Sequence, residues 1–441
     1  MKKTILPENV KLRKKREKIK YAAAVALFLA LLLAGIAAAT HKGDFYAPSD
    51  GSVYARAKVC EIIRSEGELD DDGVLIYGDI TFLAEIKSGE NKGDIVEINQ
   101  NLSSDTPLNP RQVKKGDSII AANFEWDEKW HFVEFVRSDA IAVLALIFAA
   151  LLIIFGRKKG IKTVFSLVLT VIAVVFVFMP AVLSGGNIYF WAVAVCIYMI
   201  VMTLVITSGL SPMSLAASLG CVGGVLASLS LTLVTDFFIK ISPNADSHSI
   251  YLMYIGDGLD VRALIYAAVI IGSVGAVMDV SVDIAASLKE LTVKLRTPSM
   301  RELFRSGLNI GRDVIGTMAN TLVLAYIGGS MCSLLLYFYN NASNAVYLFN
   351  IEIIVVEMLN ILVGSIGILL TLPLTALISA RIYTIEKMRA HILSEAEEAL
   401  PDKTLSKENL HEEDIFSDRL EEAGIFQSGQ VLSKEGEKNE E

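Results

Sequence analysis

Long apolar runs separated by short charged loops dominate the chain. A run of about 18 residues or more with almost no charge can cross roughly 30 Å of hydrocarbon as a helix. Inside it the backbone must satisfy its own hydrogen bonds. Such runs predict eight helices, at about 21–40, 139–156, 161–184, 189–207, 213–236, 261–283, 313–339 and 351–380. The first, Tyr21 to Thr40, reads as an uncleaved anchor, because its apolar stretch is long for a signal peptide. Ala37-Ala38-Ala39 also fits a small-residue cleavage site.

Between the first two runs the pattern changes. Residues 41–138 carry short alternating segments at Val53–Ile63, Val74–Ile76, Ile80–Ile86, Asp94–Ile98, Ser118–Ala122 and His131–Val136. Turn signals such as Asp71-Asp72-Gly73 and Lys115-Gly116-Asp117 separate them. Five or six short strands predict a small antiparallel β domain, barrel-like or sandwich-like, with OB-like and SH3-like barrels both open.

Charge then orients the helices. Basic residues crowd residues 1–20, and they recur at Arg157, Lys158, Lys159 and Lys162, at Lys289, Lys294, Arg296, Arg301 and Arg305, and at Arg381, Lys387 and Arg389. The alternate loops hold only Lys240 and Arg262. Basic loops favour the cytoplasmic side, so both termini are expected there and the β domain is expected outside. Residues 286–311 place Leu288, Leu291, Leu295, Leu303, Phe304 and Leu308 among basic residues at near-helical spacing. They predict an amphipathic segment on the inner leaflet, broken near Pro298, or a solvated loop helix. Residues 390–441 are acidic and predict a largely disordered tail. The net charge of −9 is therefore a basic start outweighed by an acidic end. The expected organisation is a basic N-terminus (1–20), an anchor (21–40), a β domain (41–138), a seven-helix membrane block (139–389) and the tail (390–441).

Candidate chemistry lies where polar groups enter apolar runs, because ionisable side chains are expensive in hydrocarbon and face protein or water there. Asp279 and Asp283, four apart, share one helix face. Arg312 and Asp313 open the next run, and Asp313, Gly316, Thr317, Asn320, Thr321, Leu324 and Gly328 form a polar stripe expected to face other helices. Glu357 and Asn360 continue the theme in the last run. Asp279, Asp283, Arg312, Asp313, Thr317, Asn320, Thr321, Glu357 and Asn360 are thus candidates for a proton or ion path. Interhelical packing by the same residues is the plainer reading. A path predicts a polar cavity joining Asp279, Asn320 and Glu357, whereas packing predicts those residues dry.

No phosphate-binding loop, HExxH or GxSxG is present, so neither an enzyme nor a cofactor is expected. Cys60 alone lies in the β domain, and no CxxC exists, so no disulfide within that domain and no metal site is expected. The basic start adjoins an apolar run, which favours anionic lipid over nucleic acid.

The stretches Gly272-Ser273-Val274-Gly275-Ala276-Val277-Met278-Asp279-Val280, Asn309-Ile310-Gly311-Arg312-Asp313 and Gly316-Thr317-Met318-Ala319-Asn320-Thr321-Leu322-Val323-Leu324-Ala325-Tyr326-Ile327-Gly328 resemble the YibE/F-like family of bacterial multi-pass membrane proteins. The resemblance covers about residues 15–390 and implies an anchor, a small extracytoplasmic β domain and a polytopic block in the bacterial plasma membrane. It implies no defined activity. An aspartate ending one span, then an Arg-Asp entering a Thr/Asn-rich span, is similar to the SecD/SecF and RND-type proton-driven layout, but the large second extracytoplasmic domain of those proteins is missing here. The expected function is a transporter or export-assisting protein, proton-coupled through the buried acids. The alternative is a scaffold whose β domain recruits envelope partners. Expected partners are the lipid bilayer and an unidentified solute, ion or envelope protein, with homo-oligomerisation compatible with either.

Overall fold

The computed structural model describes residues 8–40, 52–69, 75–102, 111–124, 127–239, 241–242, 252, 259–295, 299–341 and 344–398. Two compact units make up the chain, Thr40–Phe165 and the remainder. Residues 399–441, most of the expected acidic tail, lie outside the described residues.

In the smaller unit, β1 (Val53–Leu69), β2 (Leu75–Ile86), β3 (Ile95–Leu102), β4 (Ser118–Phe124) and β5 (Asp127–Phe135) close into a barrel in the order β1-β2-β3-β5-β4. Only the β3–β5 pairing is parallel. This closed order excludes a sandwich and matches the OB-like alternative. β1 closes the ring because its 17 residues pair with β4 through Val53–Lys58 and with β2 through Ala57–Leu69. Period-2 alternation sends Ala55, Ala57, Val59, Phe82, Ala84, Ile98 and Ile119 inward. Two predicted short strands merge as β2. They join across Gly78, which pairs with Gly67. Gly78 has φ +139°, and a Cβ there would strike the Glu66 carbonyl, so only glycine fits. The buried Gln100 bonds at both ends of its amide: its Nε2 donates to the Arg111 carbonyl at 3.0 Å, and its Oε1 accepts from Val113 N at 2.9 Å. At the β4–β5 end, Asp127 accepts from Lys129 N at 3.1 Å and sits 2.7 Å from His131 Nε2. The Lys129 N–H, then His131, hold the Asp127 carboxyl below its usual pKa.

The barrel is tied to the start of α2 (Ser138–Ala173), whose residues up to Phe165 belong to the same unit. Arg56 donates to Asp139 Oδ1 and Ser138 Oγ, each at 2.9 Å. The pair is solvent-exposed, so it fixes direction more than stability, worth about 0–1 kcal/mol. α2 continues through a π turn (Val174–Phe178) into α3 (Met179–Leu183), giving one helical stretch of 46 residues. Two predicted helices, 139–156 and 161–184, fall on it. The division between them survives as a single non-helical residue, Arg157, at φ 49° and ψ −125°. A Cβ on Gly160 would strike the Leu152 carbonyl. Residues eight apart on a straight helix stand about 12 Å apart, so the chain doubles back at Arg157.

The larger unit holds α1 (Glu8–Thr40), α4 (Ile188–Ser208), α5 (Pro212–Ile239), α6 (Val261–Lys294), α7 (Met300–Gly329), α8 (Met331–Asn341), α9 (Ala345–Leu348) and α10 (Glu352–Glu398). Among the described residues, six helices are long and apolar enough to cross a membrane, or seven if α7 and α8, bent by 68°, count as one span. This count takes Ser138–Leu183 as one helix, although the reversal at Arg157 divides it where the sequence places two. Caps mark the starts: Asn187, Asp260 and Ser299 accept from Phe190 N, Ala263 N and Glu302 N. The segment expected as a separate amphipathic helix at 286–311 is instead the end of α6 and the start of α7. Leu288 and Leu303 are fully buried in the helical core, with Leu291, Leu295, Phe304 and Leu308 against it. Packing between helices, not a lipid surface, takes up that apolar face. The expected tail is also shorter, since α10 runs to Glu398.

α10 is the hub. On its buried face Gly367, Thr371, Thr375 and Ser379 recur every four residues. α5 repeats the spacing with Gly220, Gly224, Ser228 and Thr232. The two ridges interlock: a Cβ on Gly220 would strike Thr375, one on Gly224 would strike Thr371, and one on Gly367 would strike Ser228. α6 joins through Ser281, whose hydroxyl lies 3.2 Å from that of Thr375.

Two outcomes follow. Gly220→Leu and Gly224→Leu should each lower the melting temperature of the detergent-purified protein. Overpacking costs about 1–3 kcal/mol, whereas Gly156→Ala, with open space around it, should leave melting unchanged. Asp127→Asn should speed amide exchange across residues 118–135 at pH 7. A carboxyl held low stabilises the fold above its ordinary pKa of about 3.9 and loses that effect as pH falls through its folded value. Variant and parent should therefore converge once the pH falls below that folded value, as read by hydrogen–deuterium exchange of the full chain.

Candidate functional site

α6 has two sides. Ile270, Val277, Ile284 and Leu288 lie in the core, while Ala268, Gly272, Gly275, Asp279 and Asp283 are exposed along the opposite stripe. On α7, Arg312, Asp313, Gly316, Thr317, Asn320 and Thr321 are exposed as well. Sequence reasoning had this stripe facing other helices. Within the chain it does not. α7 packs on α10 by another edge, where Gly307 and Gly311 meet Ala376 and Leu372, and Leu322 meets Gly364.

Two contacts set the antiparallel register of α6 and α7. A Cβ on Gly272 would lie 2.5 Å from the Tyr326 hydroxyl, and one on Gly307 would lie 3.0 Å from Leu288 Cδ1. Asp279 therefore lies level with Gly316 to Ala319, and Asp283 with Arg312 to Ile315. Gly272 sits two turns from Asp279 on the same stripe, so the acidic stripe borders α7. Glu357 and Asn360, on α10, are half-buried. Glu357 lies within electrostatic range of Tyr326, which is about 10–15 Å along the bundle from the level of Asp279. The structure thus brings together Asp279, Asp283, Arg312, Asp313, Thr317, Asn320 and Thr321, and holds Glu357 and Asn360 apart from them.

None of the charged members is neutralised among the described residues. Asp279 and Asp283 interact only with like charge, each other. Arg312 reaches no acid, and its Nη1 stands 3.5 Å from Asn309 Oδ1. Thr317 and Thr321 donate to carbonyls of their own helix, Val314 O at 2.8 Å and Thr317 O at 2.9 Å. A charged side chain left at the centre of a membrane helix costs about 2.5–3.5 kcal/mol on insertion scales. This face is therefore unsuited to hydrocarbon.

Asp279 and Asn320 are exposed and therefore not packed dry within the chain. A cavity of about 420 Å³ does exist, but it is apolar, is lined by Phe28, Leu32, Gly35, Val177, Trp191 and Tyr198 among others, and holds none of the nine candidates. No group of three metal-ligating side chains occurs among the described residues.

Sequence reasoning missed two features. One is the buried hydroxyl seam of Ser228, Ser273, Ser281, Thr371, Thr375 and Ser379. The strict four-residue spacing was its signal. The other is Arg262, an exception to the basic-loop pattern. Its Nε donates to Asp236 Oδ1 at 2.6 Å and its Nη2 to the Asp236 carbonyl at 3.1 Å, so a partner on α5 cancels its charge.

A family model described as YibE/F-like protein matches residues 144–385, more than half of the chain. The chain belongs to the YibE/F-like family. The match begins within α2 and ends within α10. It therefore spans the helical block and both acid-bearing stripes, and leaves out the barrel. No curated protein and no solved structure matches the chain.

The register has a direct check. In a chain with Cys60 and Cys332 replaced by Ser, a short bismaleimide should join Asp279→Cys to Met318→Cys and fail to join Asp279→Cys to Tyr326→Cys, read as a mobility shift of the full-length protein.

Proposed function

We propose that this YibE/F-like chain is a transporter or export-assisting protein of the bacterial plasma membrane, with proton or cation coupling at the α6–α7 face. One observation carries the reading. Asp279 and Asp283 stand unneutralised on a membrane-capable helix, level with a stripe of Asp, Thr and Asn on the next helix. In this reading the neighbouring carboxylates take up and release a proton or a small cation, while Thr317, Asn320 and Thr321 supply neutral oxygens beside them. Glu357, further along the bundle, acts as a second station near Tyr326. No enzymatic step and no cofactor enters this scheme, and nucleic acid has no part in it.

The barrel supports a second reading, a non-transporting scaffold that recruits envelope partners. Its closed form leaves Glu97, Asn99 and Asn101 of β3 facing outward as a polar surface.

The deciding experiment compares the metabolite and exported-protein profiles of a deletion strain complemented with the parent chain, Asp279→Asn or Glu357→Gln. Coupling predicts that the profile fails to recover with Asp279→Asn and that its pH dependence shifts with Glu357→Gln. If both variants restore the parent profile and its pH dependence, coupling is wrong. If barrel surface changes alone abolish recovery, the scaffold reading stands.

A further inference from the structure

The exposed polar face of α7 needs an occupant. Lipid tails offer it no hydrogen bonds and no counter-charge, and the rest of the described chain does not cover it. Gly275 of α6 and Gly316, Gly328 and Gly329 of α7 have nothing within 4 Å of the position of a Cβ, so this side admits a close backbone approach. α8, which continues from α7 at 68°, is exposed along most of its length, with Leu335 and Tyr339 at 62% and 88%. An uncovered surface therefore runs from Arg312 to Asn340.

We infer that a second copy of this chain covers the face, α7 against α7, and that the acidic path is incomplete until it does. Two copies inserted in the same direction are related by a two-fold axis along the membrane normal. Each residue then meets its own height on the other copy, and every contact occurs twice. The chemistry at each height fits this arrangement. Arg312 of one copy meets Asp313 of the other, and the reverse, so two unneutralised charges per chain become two ion pairs. Asn320, which makes no side-chain hydrogen bond to a described residue, can both donate to and accept from its counterpart. Gly316 lets the backbones approach between these levels. Asp279 and Asp283, set back on α6, are not consumed by these contacts. They line the seam between the copies and supply the uncompensated acids that the proposed function requires. The inference deepens that reading by naming what closes the path, yet the dimer stands or falls without any transport assay.

Crosslinking in native membranes tests it. With Cys60 and Cys332 replaced by Ser, single cysteines go in at Thr317, Asn320 and Leu324 on the stripe, and at Leu233 of α5 and Leu377 of α10, which are exposed elsewhere. Oxidation should yield a dimer band at the three stripe positions and none at the two controls. On the Asn320→Cys chain, Arg312→Asp or Asp313→Arg alone should abolish the band, and the double exchange should restore it, which a misfolded variant could not do. A band equally strong at Leu233 and Leu377, no band on the stripe, or no recovery in the double exchange would overturn the inference. A dimer that persists while Asp279→Asn and Glu357→Gln both restore the parent profile and its pH dependence would sink the coupling reading and leave the dimer intact.

Discussion

In hydrocarbon no solvent drives apolar helices together, so association rests on close packing and on hydrogen bonds that lipid cannot provide. The contact of α5 with α10 meets that requirement and organises the helical unit. Gly220, Gly224 and Ser228 step along α5 four residues at a time, and Thr375, Thr371 and Gly367 answer them in antiparallel order. Residues at this spacing form one ridge of a helix, and two such ridges interlock. At each crossing one side is glycine and the other carries a hydroxyl. α6 then seats Val277 and Ser281 in the same seam, and α7 reaches α10 through two further glycines, Gly307 and Gly311. Pro373 lies inside α10 between Thr371 and Thr375. The buried surroundings of those two threonines hold the helix where a proline removes one backbone donor.

That hub decides which faces remain outside. The packed ridges of α6 and α7 are turned toward α10, so the Gly272–Asp283 stripe and the Arg312–Thr321 stripe are left on the open side. Polarity on these helices is therefore divided by face. Ser273, Ser281, Gly307 and Gly311 are buried, whereas the charged groups, Asn320, Thr317, Thr321 and Gly316 are exposed. The same logic applies to Arg262, which lies among apolar residues but carries its own carboxylate partner in Asp236. An Asp279 without a partner inside the chain stands out against that treatment.

The barrel solves a different problem. A small sheet has edges that invite pairing with other chains, and closure removes them. It requires one strand long enough to pair at both ends, and β1 is that strand, bent by register shifts near Val59 and Ile62 and relieved at Gly67 and Gly78. Gln100, buried and bonded through both Nε2 and Oε1, ties residues 111–113 to the wall.

Much of this was legible in the sequence. Apolar runs named the helices, alternation named the strands, and the Asp279, Arg312-Asp313 and Thr317–Asn320 segments carried the family resemblance, because periodicity and composition are local properties. The four-residue repeats of α5 and α10 were also present, but each reads alone as ordinary small-residue packing. Several matters were decided only by tertiary structure. Leu288 and Leu303 could have covered lipid or protein, and the core took them. Residues 139–184 could have formed two helices with a loop, and Arg157 reversed the chain in one residue. The stripe on α7 could have been buried, and the preference of α10 for the glycine edge of that helix left it exposed. The reason is common to all three. A helical pattern specifies which residues share a face, whereas the contact that face makes depends on which neighbouring ridge fits it best.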